Sequence, residues 1–177
     1  MYDVHAFVTP SVQMNAASDH TFLFADLVGY TSFTERVGDD EAADVAVEFQ
    51  VRAQRLADTY GLEVIKKLGD AVMIHGADAT RVVALALRLR RELAADGRFP
   101  PLRMGVHSGS AVQRDGDWYG ATVNVAARVA DAAGAGEILL SLTTRDRIAR
   151  AGVRTADRGA RSFKNVAAPL ALFAAAA

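Results

Sequence analysis

Apolar positions along the chain follow two periods, and the switches between them mark out the elements. "TFLFAD" is a short apolar run closing on a carboxylate and predicts a strand over Thr21–Asp26. In "DDEAADVAVEFQVRAQRLADTYG", Val45, Phe49, Ala53, Leu56 and Tyr60 fall on one helical stripe, with Asp39 or Asp40 as N-cap and Gly61 as the stop. "LEVIKKLGDAVMIHG" holds two short apolar runs and predicts a tight hairpin whose two-residue turn is Leu68-Gly69, the glycine taking positive φ. "DATRVVALALRLRRELAADG" reads as a helix from an Asp78 cap to Gly97, and "LRMGVHSGSAV" as a further strand. The order is β-α-β-β-α-β.

That order is the split βαβ, or ferredoxin-like, arrangement, in which the third strand inserts between the first two and runs antiparallel to them. The fold class is α+β, with C-terminal αβ additions. These are a loop, "QRDGDWYG", a helix from about Ala121 to Ala133, a strand "EILLS", a short helix capped by Thr143 or Thr144, and closing strands near "RTADRGARSF" and "PLALFAA". The core order has a geometric consequence. Asp26, ending the first strand, and Asp70, opening the third, share one edge of the sheet on strands about 5 Å apart. Two carboxylates brought that close repel unless a cation lies between them, and magnesium accounts for a strand that finishes on an aspartate. The following "VGYT" turn can offer backbone N–H groups to an anion, which suits a metal-bound phosphate. Asn124 and Arg128, four apart on a helix, project from one face and can reach one ligand.

Composition narrows the field. With 177 residues, 51% of them hydrophobic, the chain suits one domain over residues 1–177, with 1–20 an N-terminal extension and 21–173 the core. A formal net charge of -1, and no basic run beyond "RLRREL", argue against nucleic acid or an anionic membrane surface as partner. The absence of cysteine removes thiolate sites, and His5, His20, His75 and His107 show no ligand spacing, so any metal sits on oxygen. The first residues lack a signal peptide's pattern and no run of eighteen apolar residues occurs, so a cytoplasmic protein is expected. Walker and Rossmann glycine patterns are missing.

"FADLVGYT", "VIKKLGDAVM", "RMGVHSGSA", "DWYGATVNVAARV" and "RGARSFKNVAAPLALF" together resemble the catalytic domain of class III nucleotidyl cyclases, from about Thr21 to Phe173. The chain looks like the soluble single-domain adenylate cyclases of actinobacteria. The resemblance implies a phosphorus–oxygen lyase that makes cyclic AMP or cyclic GMP from the nucleoside triphosphate. Carried over, Asp26 and Asp70 match the metal-binding aspartates and the Leu27 carbonyl a backbone ligand, for two Mg²⁺ or Mn²⁺ ions per site. Gly29, Tyr30 and Thr31 match the turn that receives the triphosphate. Lys66 matches the base-reading lysine and Asp117 its acidic companion, with Asp115 an alternative acid. Asn124 and Arg128 match the pair that orients the ribose and stabilises the transition state, and Lys164 falls near a lysine that contacts the terminal phosphates.

The reaction implied is attack of the ribose 3′-oxygen on the α-phosphorus, with two ions acidifying the hydroxyl and Arg128 meeting charge on the phosphoryl oxygens. A cationic donor and an anionic acceptor match adenine at N1 and its amino group, whereas guanine reverses that pattern, so ATP is the expected substrate. Guanylate cyclase activity, or a catalytically weak nucleotide-binding signalling module, is the alternative. A diguanylate cyclase is disfavoured because "KKLGDAV" lacks its Gly-Gly-acidic signature. His107 reads as a packed strand histidine, and Trp118 and Tyr119 as loop packing or a subunit contact. A Leu68-Gly69 turn would pair Lys66 with Ala71 and set Lys66 and Asp70 on opposite sheet faces. The resemblance implies the same division between chains, with Asp26 and Asp70 from one and Lys66, Asp117, Asn124 and Arg128 from the other, in a two-fold homodimer. The short segment before "DWYG", in a region that helps hold the family's dimer, is compatible with weak association or a monomer.

Overall fold

A computed structural model describes residues 19–176. Of the expected N-terminal extension, residues 1–18 lie outside the described residues, and the first strand, β1 (Asp19–Leu27), begins slightly before the expected core. A short helix α1 (Tyr30–Val37) follows, where the sequence suggested only a turn, and then α2 (Asp39–Tyr60). The hairpin strands are β2 (Glu63–Leu68) and β3 (Ala71–Gly76), followed by α3 (Ala79–Asp96) and β4 (Leu102–Ser110). The expected loop is itself a hairpin, β5 (Val112–Arg114) and β6 (Asp117–Tyr119), turning through Asp115 and Gly116, both at positive φ. The remainder is α4 (Ala121–Asp131), β7 (Ile138–Ser141), α5 (Leu142–Arg147), β8 (Arg154–Arg161) and β9 (Leu170–Ala176).

The strands form one seven-stranded sheet in the order β2-β3-β1-β4-β7-β9-β8, which contains the expected ferredoxin-like core, β3 lying antiparallel between β1 and β2. Alternation along β1 sends Leu23, Ala25 and Leu27 into the core under α2 and α3. Phe22 and Phe24 turn to the other face, where Met73, Trp118 and Ala126 meet them. On that second face α4 lies across the sheet, with Val125 and Val129 packed on Leu139 and Leu172. Among the described residues no helix is long and apolar enough to cross a membrane.

Local chemistry explains most boundaries and corrects three. The Asp78 carboxylate accepts from Thr80 N at 2.8 Å and starts α3, and Gly61 closes α2, both as expected. Gly38, not Asp39 or Asp40, is the N-cap of α2, and the aspartates occupy its first turn, where they favour the helix dipole. Ser141, not Thr143 or Thr144, caps α5, its hydroxyl accepting from the Thr144 amide. The hairpin turn is Gly69-Asp70 rather than Leu68-Gly69, because Leu68 pairs with Ala71 and Gly69 takes φ 60° at the first turn position, as a tight hairpin requires. That turn sets Lys66 opposite Met73, and a bulge between Val64 and Lys66 shifts the register beyond it, so Val64 pairs with Ile74 and Glu63 with His75.

His107 is the packed strand histidine expected, bonded through Nδ1 to Ser141 Oγ at 2.8 Å. Burial, with Arg147 adding to it, lowers its pKa to about 4. One contact fixes how closely α4 rides on the sheet. A Cβ at Gly105 would fall within the backbone of Val129 and Ala130. Gly105→Ala should therefore push α4 off β4 and destabilise the fold by about 3 kcal/mol, seen as a fall in Tm of roughly 6–12 °C. A Tm within 2 °C or so of wild type would show that the helix is not seated on the strand in this way.

Candidate active site

β1 ends between two antiparallel neighbours, and its last residues gather one cluster. Asp26 lies opposite Ala71 of β3 and Arg103 of β4. The Leu27 amide donates to the Asp70 carbonyl at 3.1 Å, so Asp70, in the hairpin turn, abuts the end of β1 as the sequence predicts. Burial raises the pKa of the Asp70 carboxyl, and the negative charge of Asp26 raises it further. Because N–H and C=O of one residue leave an extended strand on the same side, the Leu27 carbonyl also opens toward Asp70.

Arg103 is the residue the sequence reading missed. Its Nε and Nη2 lie 2.6 Å and 2.5 Å from Asp26 Oδ2. The signal was present in "RMGVHSGSA", but nothing marks Arg103 as the partner of Asp26 until β1 and β4 are known to be neighbours. The next turn begins α1. Gly29 is the N-cap with no side-chain cap, and the first intrahelical bond is Phe33 N to Gly29 O at 2.9 Å. The amides of Tyr30, Thr31 and Ser32 consequently have no acceptor within the helix and stand at its positive end. Tyr30 contributes to this end through its backbone, since its hydroxyl donates to Ala42 O at 2.7 Å and ties α1 to α2.

Among the described residues no three His, Cys, Asp or Glu side chains converge in a ligand group. Asp26, Asp70 and the Leu27 carbonyl nevertheless fit a hard divalent cation, which typically takes one or two carboxylates and completes its shell with substrate phosphate and water. A cation there would relieve the repulsion that raises Asp70.

A second group sits on the α4 side of the sheet. Lys66 Nζ lies 2.7 Å from Asp117 Oδ2, while Asp117 Oδ1 accepts the Trp118 amide at 2.8 Å. The bond to Lys66 chiefly, then the Trp118 N–H, lowers the Asp117 pKa. Asp115 occupies the β5–β6 turn, so Asp117 is the acid paired with Lys66. Both side chains remain partly accessible, which a pair meant to read a ligand requires. The expectation that Lys66 and Asp70 point to opposite sheet faces does not hold. Lys66 opposite Met73 projects to the face of Phe22 and Trp118, and Asp70 belongs to the turn and to neither face.

The third group is on α4. Val123 and Ala126 face the Phe22 cluster and Val125 and Val129 face Leu139, which leaves Asn124 and Arg128 outward, one above the other and exposed. Together with Lys164, Asn165 and Val166 they line a cavity of about 600 Å³. Arg128 has a loose contact with Asp131 at 3.6 Å. The structure thus joins Lys164 to Asn124 and Arg128, which lie 40 and 36 residues before it, a juxtaposition that spacing could not show. Neither Asp26, Asp70, Lys66 nor Asp117 lines this cavity.

Comparison with known proteins bears on this arrangement. The family described as the adenylate and guanylate cyclase catalytic domain matches residues 12–171. The pH-sensitive adenylate cyclase MT1302 of Mycobacterium tuberculosis is 36% identical over 157 residues, covering 86% of this chain and 39% of its own length. An adenylate cyclase of Streptomyces griseus is 37% identical over 106 residues, 60% of this chain and 27% of the relative. The chain therefore spans well under half of these curated relatives. The adenylyl cyclase CyaB from P. aeruginosa shares the fold with a TM-score of 0.79 at 24% identity, covering 90% of this chain and 94% of that one. A family match running from before β1 into β9, over a fold of the same architecture, leaves one assignment: the chain belongs to the adenylate and guanylate cyclase catalytic domain family.

Proposed function

We propose that this domain converts ATP to 3′,5′-cyclic AMP and pyrophosphate, at sites shared between two copies of the chain. The observation that carries the substrate is the Lys66–Asp117 pair, a cationic donor and an anionic acceptor held 2.7 Å apart. Adenine's N1 and amino group offer the complementary acceptor and donor, and guanine offers the reverse. That the curated relatives are adenylate cyclases supports the same choice.

In this reading Asp26 and Asp70, with the Leu27 carbonyl, hold two divalent ions, Mg²⁺ or Mn²⁺. Bound there, the ions would acidify the 3′-hydroxyl and neutralise triphosphate charge. The free amides opening α1 after Gly29, at Tyr30 and Thr31, receive phosphate oxygens, and Arg103 adds a fixed positive charge beside them. On α4, Asn124 orients the ribose and Arg128 meets negative charge as it grows on the α-phosphoryl group. Lys164 extends that positive surface toward the terminal phosphates. The 3′-oxygen passes its proton to solvent and bonds to the α-phosphorus as the bond from that phosphorus to the bridging β-phosphate oxygen breaks, and pyrophosphate leaves with the electron pair.

The two-chain arrangement is supported by the outward direction of Asn124 and Arg128, into a cavity that does not include the aspartate cluster. A two-fold pairing that sets α4 of one chain against the β1 end of the other brings both groups to one nucleotide, twice.

Incubating purified protein with ATP or GTP and each metal, then identifying the product, tests the activity. Cyclic AMP from ATP as the main product is expected. Cyclic GMP as the main product would overturn the base assignment, and no cyclic product from either nucleotide would leave a nucleotide-binding module.

A further inference from the structure

The face that carries Lys66 and Asp117 also holds two histidines and a tryptophan that the reaction does not use. His20 Nδ1 lies 3.0 Å from His75 Nε2, a hydrogen bond between two imidazoles. Trp118 packs on both, its ring centroid 4.3 Å from His20 and 4.2 Å from His75, with Phe22 completing the cluster. The Trp118 side chain is 8% exposed, and its indole Nε1 is buried with no hydrogen-bond partner. Its indole is held by packing rather than by a hydrogen bond. Trp118 is also the residue whose amide fixes Asp117, and Asp117 in turn binds Lys66. A continuous path of contacts runs from the imidazoles to the base-reading pair.

We propose that His20, His75 and Trp118 form a positioning device for Asp117, which holds the base-reading pair in place and lets it go when both imidazoles become protonated. The inference rests on the assignment of Lys66 and Asp117 to the adenine ring.

An N···N separation of 3.0 Å accommodates one proton between the rings. If His20 Nδ1–H donates to His75 Nε2, the outer His75 Nδ1 carries a proton toward Glu63, 3.7 Å away. With one added proton the pair can keep the shared bond, as an imidazolium donating to a neutral imidazole. A second must go to His75 Nε2 and set two N–H groups against each other, so the rings must part and Trp118 loses its platform. The surrounding charges set where this happens. Asp19 on β1, itself paired to Arg147, favours a proton on His20. Glu63 faces His75 from β2, with Lys66 and Asp117 beyond Trp118, while His107 lies past Phe22 on β4 and α4 contributes the apolar Val123 and Ala126. Burial, opposed by Asp19, lowers the His20 pKa, and burial and then His20 lower that of His75 to about 4. The pair is thus short of its second proton at neutral pH and gains it in acid.

Trp118 is the sole tryptophan of the chain, so its emission reports the cluster directly. In the full chain, with circular dichroism confirming the fold at each pH, emission should change in a step well below pH 6.5, the ordinary histidine value. The step should vanish in His75→Phe. Adding 3′-deoxy-ATP, which lacks the attacking hydroxyl, should move it to lower pH, because a ligand weakened by protonation opposes protonation equally. At pH 7.5, His75→Ala should raise KM for ATP roughly tenfold with kcat little changed. His75→Phe keeps a flat ring under Trp118 and should restore that KM while removing its rise in acid. A step that 3′-deoxy-ATP does not move, or a His75→Ala KM like wild type beside a raised KM in Lys66→Ala, would overturn the positioning role alone. If Lys66→Ala changes neither KM nor the preference for ATP over GTP, the base assignment itself fails. Should His75→Ala not fold, the 3′-deoxy-ATP titration of wild type and the acid profile of His75→Phe decide.

Discussion

Asp26→Ala and Arg128→Ala proteins are each expected to lose nearly all cyclase activity, and a mixture of the two to recover about a quarter of the wild-type level. The losses follow from what each residue faces. Asp26 supplies one of two carboxylates that converge at the end of β1, and a divalent ion left with Asp70 and a carbonyl has too few anionic donors. Arg128 stands alone in its cavity as the fork suited to a charged phosphoryl group, for which a loss on the order of 10³-fold is typical. The recovery follows from sharing. At random exchange about half the dimers pair one variant with the other, and each such dimer has one intact site of two. Asp26→Ala strands the Arg103 guanidinium, but Arg103 is 36% exposed and can turn to water, so the fold should survive. Circular dichroism checks that point, and Asp26→Asn, which keeps a hydrogen-bond acceptor for Arg103, should be equally inactive. Activity that stays at background after subunit exchange has been shown would place the whole site within one chain.

Exchanging Lys66 for Glu and Asp117 for Gly should cut kcat/KM for ATP far more than for GTP. Each unmet hydrogen-bonding group costs roughly 1–3 kcal/mol, so the ATP:GTP ratio should fall by on the order of 10²-fold or more. The structure sharpens how the change must be made. Lys66 and Asp117 bind each other at 2.7 Å, so removing one alone leaves the other's charge without its partner and mixes that cost with the lost contact to the base. The double variant removes both, and its partly exposed site carries little penalty for the fold. A ratio that does not change would separate base selection from this pair.

Much of this site was legible before any coordinates. The stripe Val45, Phe49, Ala53 and Leu56 is buried along α2, and Asp78 and Gly97 bound α3, because periodicity and end chemistry are local properties that one stretch of chain expresses by itself. The order of elements also sufficed to bring Asp70 to the end of β1, since the split βαβ arrangement permits few ways to stack the strands. The Lys66–Asp117 pair was anticipated through family likeness rather than through spacing.

What the tertiary structure decided is of a different kind. Hairpin register depended on where Gly69 took positive φ, and one residue of shift in the turn was enough to move Asp70 out of β3 and the partner of Lys66 from Ala71 to Met73. Gly38 displaced Asp39 and Asp40 as the cap of α2, because which residue leaves the helical conformation depends on how α1 is held against α2. Arg103 reached Asp26 through the β1–β4 pairing, His20 met His75 and Trp118 across three strands, and Lys164 came to Arg128 from a distant loop. A sequence pattern reports that a side chain is to be buried or exposed. It does not carry the identity of the partner, which is set only when separate strands and helices close on one another.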